Sequence, residues 1–115
     1  LRDLDFYSRL EKTTYALCNG LKQAAAAAGI AVTVNAVPGM LTVFFTPHPV
    51  RDLADAEAAD TAMFARFFHA MLRRGVYLPP SQFEAWMLSS AHTPQVVQRT
   101  IEVAADAFRG LRDGI

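Results

Sequence analysis

Glu84 is the one carboxylate in the stretch "VYLPPSQFEA", residues 76–85. Pro79 and Pro80 stiffen the backbone before it, and Phe83 and Trp86 put bulk on either side. A carboxylate held among such neighbours is partly desolvated and seeks a cation or a hydrogen-bond donor. The plainer reading is a solvated acid at a turn or helix start, where most carboxylates lie. Chemistry alone leaves both readings standing and favours the plainer one. Ser81 and Gln82 lead the chain into this acid.

The other groups able to do chemistry are scattered. His48, His69 and His92 never stand four residues apart on a helix, and no cysteine pair accompanies them, which argues against a zinc site. His48 lies in a proline-flanked loop and His69 on a Phe-rich helical stretch, so both read as structural or solvated. His92 lies between a strand end and a helix start, where it either bonds backbone groups or does chemistry; the structural role is favoured. Cys18 adjoins an apolar stripe and reads as a small core filler rather than a nucleophile. Gly20, Gly29 and Gly39 are too far apart to make a phosphate-binding loop. The aromatic residues read as core, because no basic groove surrounds them to bind bases.

Composition narrows the function classes. Lys and Arg together number 11, as do Asp and Glu, so no charge excess draws the chain to nucleic acid or to an anionic membrane. With 115 residues, 52% of them hydrophobic, the chain suits a single domain with its own core. One cysteine forbids an internal disulfide and fits a reducing, cytoplasmic setting. The apolar runs are too short to span a bilayer. The opening "LRDLDFYSRL" has no initiator Met and none of the features of a signal peptide. Both observations lead us to expect a piece of a longer protein.

The elements that must position these groups follow from periodicity. Leu10, Thr14, Leu17, Leu21, Ala24 and Ala28 mark one face of a helix from about Asp5 to Ala28, with Gly29 as its left-handed cap. Gly20 weakens that helix unless another element approaches closely. "IAVTVNAV" (30–37) and "MLTVFFT" (40–46) read as antiparallel strands around a Pro38-Gly39 turn. Asp52 caps a helical turn, and Asp60 caps a helix from Thr61 to Arg74 closed by Gly75. "VYL" (76–78) reads as a third strand and "AWMLSSA" (85–91) as a fourth. Thr93-Pro94 starts the last helix, whose inner face runs through Val97, Ile101, Ala104, Ala105, Phe108 and Leu111. The expected fold is α+β: a small antiparallel sheet of three to four strands with helices on one face. The other face is expected to expose apolar residues and to pack on a missing partner.

Two stretches carry a resemblance. "FARFFHAMLRRGVYLPPSQFEAWMLSSAHT" (64–93) resembles the C-terminal region of the glutamate-1-semialdehyde 2,1-aminomutases, and "VTVNAVPGMLTVFFT" (32–46) resembles the segment before it. "YLPPSQFEA" followed by "SSAHT" is the most specific part. Pro38-Gly39 departs from it, standing where that family commonly carries Gly-Ser.

This resemblance implies the smaller C-terminal domain of a type I pyridoxal-phosphate enzyme of aminotransferase class III. The larger domain of the same chain would carry the cofactor, pyridoxal 5'-phosphate or pyridoxamine 5'-phosphate. Lys12 and Lys22 do not resemble a Schiff-base lysine, so no cofactor is expected on this chain alone, and the chain by itself is expected to be inactive. The intact enzyme would be a homodimer converting glutamate-1-semialdehyde to 5-aminolevulinate in porphyrin biosynthesis, by way of a diamine. Glu84 matches the family's acid and would hold a cationic amine, with Ser81 and Gln82 shaping the turn and binding substrate. The alternatives are the equivalent domain of another class III ω-aminotransferase, or a free-standing α+β interaction module.

Overall fold

A computed structural model describes residues 2–114. Helix α1 spans Arg2–Ala27. Its expected stripe is the buried one: Thr14, Leu17, Leu21 and Ala28 are inaccessible, and Leu10 and Ala24 are half-buried. Gly29, at φ 72°, turns the chain out of the helix, and the N–H of Ile30 donates back to the carbonyl of Ala25 at 2.9 Å.

Strands β1 (Thr33–Val37) and β2 (Met40–Phe44) form the expected hairpin, antiparallel, with Val37 opposite Met40. Strand alternation sends Val34 and its partner Val43 inward, as it does Ala36 and its partner Leu41. Gly39 sits in the turn at φ 88°, a conformation that costs a Cβ-bearing residue energy. Its N–H donates to the Thr14 hydroxyl at 2.8 Å, and that hydroxyl donates to the Leu10 carbonyl at 2.7 Å.

The capping residues act as their sequence positions foretell. Asp52 accepts from the Asp55 N–H ahead of α2 (Leu53–Glu57), and Asp60 accepts from the Met63 N–H ahead of α3 (Thr61–Arg73). Thr93 accepts from the Val96 N–H ahead of α4 (Pro94–Arg112). Each such cap is worth about 1 kcal/mol.

The sheet has three strands among the described residues, in the order β1-β2-β3. The expected strand at 76–78 is not one: Val76, Tyr77 and Leu78 run outside the sheet, and Tyr77 is 82% exposed. Pro79 and Pro80 explain this. They lack N–H donors, and a residue before proline is held extended without any ladder. The expected strand at 85–91 shrinks to β3, Trp86–Met87. It pairs Trp86 with Leu41 and Met87 with Met40. The next rung falls on the turn, where the Leu88 N–H donates to the Gly39 carbonyl at 2.8 Å, so the ladder runs out of partner.

Helices α1 and α4 pack on each other, α4 also packs on α3, and α1 packs on β1. The rings of Phe67 (α3) and Phe108 (α4) stack with centroids 4.8 Å apart, and Phe45 leans on them at 5.5 and 6.2 Å. Burying each such ring contributes about 1.5–3 kcal/mol. Gly20 has the close neighbour its position called for: a Cβ there would overlap the Ile101 side chain of α4. On the opposite sheet face, Phe44 packs with Ala56 of α2, Ala59 and Val50. Near the hairpin turn that face is open. Val37, Met40 and Met87, consecutive partners across the three strands, are 56%, 39% and 68% exposed.

Candidate functional site

The segment from Gly75 to Thr93 carries the candidate residues. Gly75, at φ 84°, ends the turn after α3, and the Val76 N–H donates to the Met71 carbonyl at 3.0 Å. After the two prolines, residues 81–84 close a turn on Ser81. The Ser81 carbonyl accepts the Glu84 N–H at 3.1 Å, and the Ser81 hydroxyl accepts the Phe83 N–H at 3.1 Å. Serine suits this place because its short hydroxyl mimics a backbone acceptor.

Glu84 projects from this turn at an exposed position, with no ion pair among the described residues. This is the solvated acid of the plainer reading. Phe83 is itself 51% exposed, and Trp86 turns into the core at 6%. The buried polar group of the turn is Gln82 instead, only 2% exposed. Its Nε2 donates to the carbonyl of Ala56 at 3.1 Å, which ties the turn to α2. Its Oε1 is buried without a hydrogen-bond partner among the described residues.

His92 is half-buried, and its Nδ1 accepts the N–H of Ser89 at 3.0 Å. That bond places the proton of a neutral ring on Nε2. His92 also borders a cleft of about 350 Å³ between α1 and the loop before α4, with Arg9, Lys12, Ser89 and Ser90 among its walls. A second cleft, of about 300 Å³, lies between Leu17, the Val76–Pro79 segment and β3. Glu84 lines neither. His48 and His69 are exposed, and Cys18 is buried in the core beside Leu17 and Leu21. Among the described residues no cluster of His, Cys, Asp or Glu could hold a metal, and no helix is long and apolar enough to cross a membrane.

Lys12 and Lys22 are both exposed on α1.

No protein-family model matches the sequence. The structure is similar to an omega-transaminase from Sphaerobacter thermophilus, with a TM-score of 0.76, 18% identity, and coverage of 91% of this chain but 24% of that one. It is also similar to the FumI protein of Sphingopyxis sp. MTA144, solved as its PLP internal aldimine form, with a TM-score of 0.74 and 26% identity over 95% of this chain and 24% of that one. A third likeness is to a beta-phenylalanine aminotransferase from Variovorax paradoxus, with a TM-score of 0.72 and 22% identity over 92% of this chain and 23% of that one. The chain thus spans about a quarter of the length of these proteins and has the α+β fold of a transaminase C-terminal domain.

Proposed function

We propose that this chain is the smaller domain of a pyridoxal-phosphate-dependent aminotransferase-type enzyme, and that the intact enzyme is a glutamate-1-semialdehyde 2,1-aminomutase. One observation carries the coarser part: a TM-score of 0.76 over 91% of this chain, against 24% of an omega-transaminase. The finer part rests on the resemblance of "YLPPSQFEA" and "SSAHT" to the aminomutases. On this reading the larger domain of the same chain is the partner, and the assembly is a cytoplasmic homodimer.

When bound to the larger domain, pyridoxal phosphate supplies the electron sink for amino-group transfer. The contribution of this chain is an anion on a stiffened turn. Glu84 is exposed and has no ion-pair partner among the described residues, so its carboxylate is available to accept charge-assisted hydrogen bonds from an ammonium group. Holding the amine of a diamine in one orientation would favour its transfer between adjacent carbons. Ser81 supports that role by closing the turn, and Pro79-Pro80 lower the entropy lost in holding it.

The test is Glu84→Gln in the intact enzyme, assayed with glutamate-1-semialdehyde. Conversion slows on the order of 100-fold, in line with the loss of one charged contact to a reacting group, while bound cofactor per chain stays the same. Wild-type kinetics in that variant would remove Glu84 from the reaction. A second reading, another class III ω-aminotransferase, is favoured by the likeness to an omega-transaminase and to a beta-phenylalanine aminotransferase. Turnover of an ω-amino acid with a keto-acid acceptor, and none of the semialdehyde, selects it.

A further inference from the structure

We infer that Gln82 is a positioning residue for Glu84, acting through the turn rather than by touching substrate. The inference rests on the reading of Glu84 above.

The side chain of Gln82 is 2% exposed, so a molecule in solvent does not reach it. Its one hydrogen bond, from Nε2 to the Ala56 carbonyl, spans 26 positions of sequence. That carbonyl already accepts the Ala59 N–H at 3.2 Å, so it does not depend on Gln82 for a partner. Oε1 is buried and unpaired among the described residues. Burying an amide half-satisfied forfeits much of what its single bond returns, and an apolar side chain of similar volume would serve burial as well. What an apolar group cannot supply is direction. The turn is closed internally on Ser81 and held from two sides: β3 begins two residues after Glu84, and Gln82 ties the other side to α2. The anchor lies on α2, which packs through Ala56 onto Phe44 of β2. With β3 holding the chain just after Glu84, the tilt of the turn that carries the carboxylate is set through Gln82.

The experiment uses Gln82→Met, which keeps length and burial and deletes the donor. In the 115-residue chain, exchange of the Glu84 amide hydrogen speeds up on the order of 10-fold, while the thermal midpoint moves by no more than about 4 °C. In the intact enzyme, kcat on glutamate-1-semialdehyde falls on the order of 10-fold, since small misplacements of a reacting group are costly. Placed on Glu84→Gln, the same substitution adds less than about a further 2-fold, because its route to the reaction is already gone. A full 10-fold added on that background would show that Gln82 acts elsewhere, and unchanged amide exchange would show that the turn needs no anchor. A slow Glu84→Gln beside a wild-type Gln82→Met overturns this inference alone. A wild-type Glu84→Gln overturns the reading beneath it and this role together.

Discussion

The hydroxyl of Thr14, in the middle of the first helix, accepts the N–H of Gly39 in the hairpin turn at 2.8 Å, at a site closed to solvent. It couples α1 to the β1-β2 turn, and the same glycine offers its carbonyl to Leu88 just past β3. Thr14→Val keeps the shape and strands a buried N–H, so it should destabilise the chain by about 1–3 kcal/mol. Thr14→Ser, which keeps the acceptor, should cost less. Urea denaturation of both variants checks the order, and a larger loss in Thr14→Ser than in Thr14→Val would show that the methyl group outweighs the hydroxyl there.

Gly20→Ala sets two effects against each other. Helix propensity favours alanine by about 1 kcal/mol. The added methyl meets Ile101, whose branched side chain is confined to few rotamers within α4 and so is slow to yield. Overpacking of this kind costs about 1–3 kcal/mol, and the net change should be a loss. In an Ile101→Ala background the sign should reverse, since space then opens for the methyl. Thermal unfolding of the four proteins of this cycle reads the answer.

Asp113 at the end of α4 has its carboxyl held below the usual aspartate range, first by the hydrogen bond from Arg112 and then by the nearby positive charges of Arg112 and Arg109. A depressed folded-state value adds stability at pH above the unfolded aspartate value, and that stability is lost as pH falls through the folded one. Both groups are fully exposed, so the effect on unfolding is small and salt-sensitive. The clear readout is a carboxyl titration by NMR, in which Arg112→Ala should return Asp113 upward toward the free value. No movement would break the assignment of cause.

Met87→Ser should change the stability of the 115-residue chain by less than about 0.5 kcal/mol, because the side chain is 68% exposed. In the proposed intact enzyme the same change should cost more, on the reading that the larger domain covers the Val37, Met40 and Met87 row. Comparing the two denaturation curves tests this, and equal small costs would leave that row bare in both.

Local features were legible in the sequence, and long-range ones were not. Asp52, Asp60, Thr93, Gly29 and Gly75 each act within a turn of their own position, so residue type and spacing sufficed to place them. The extent of β3 depended on where β2 turns, some 50 residues earlier by the pairing of Leu88 with Gly39. Nothing in "AWMLSSA" records that. Val76 to Leu78 has the composition of a strand, yet two prolines give it an extended path without one. At the candidate site, the sequence left a confined Glu84 and a solvated one both open, with the solvated one favoured, and gave no sign of confinement at Gln82. Gln82 is the confined one, and its partner Ala56 lies too far away in sequence for any local pattern to reveal.

The abrupt end of β3 bears on how this chain behaves in a tube. A border strand invites copies to add on to it, each new one extending the ribbon, and a long flat border is the usual seed of fibrous precipitate. Here the β3 border offers two residues before the backbone bends away, so that side of the sheet gives an added copy little to pair with.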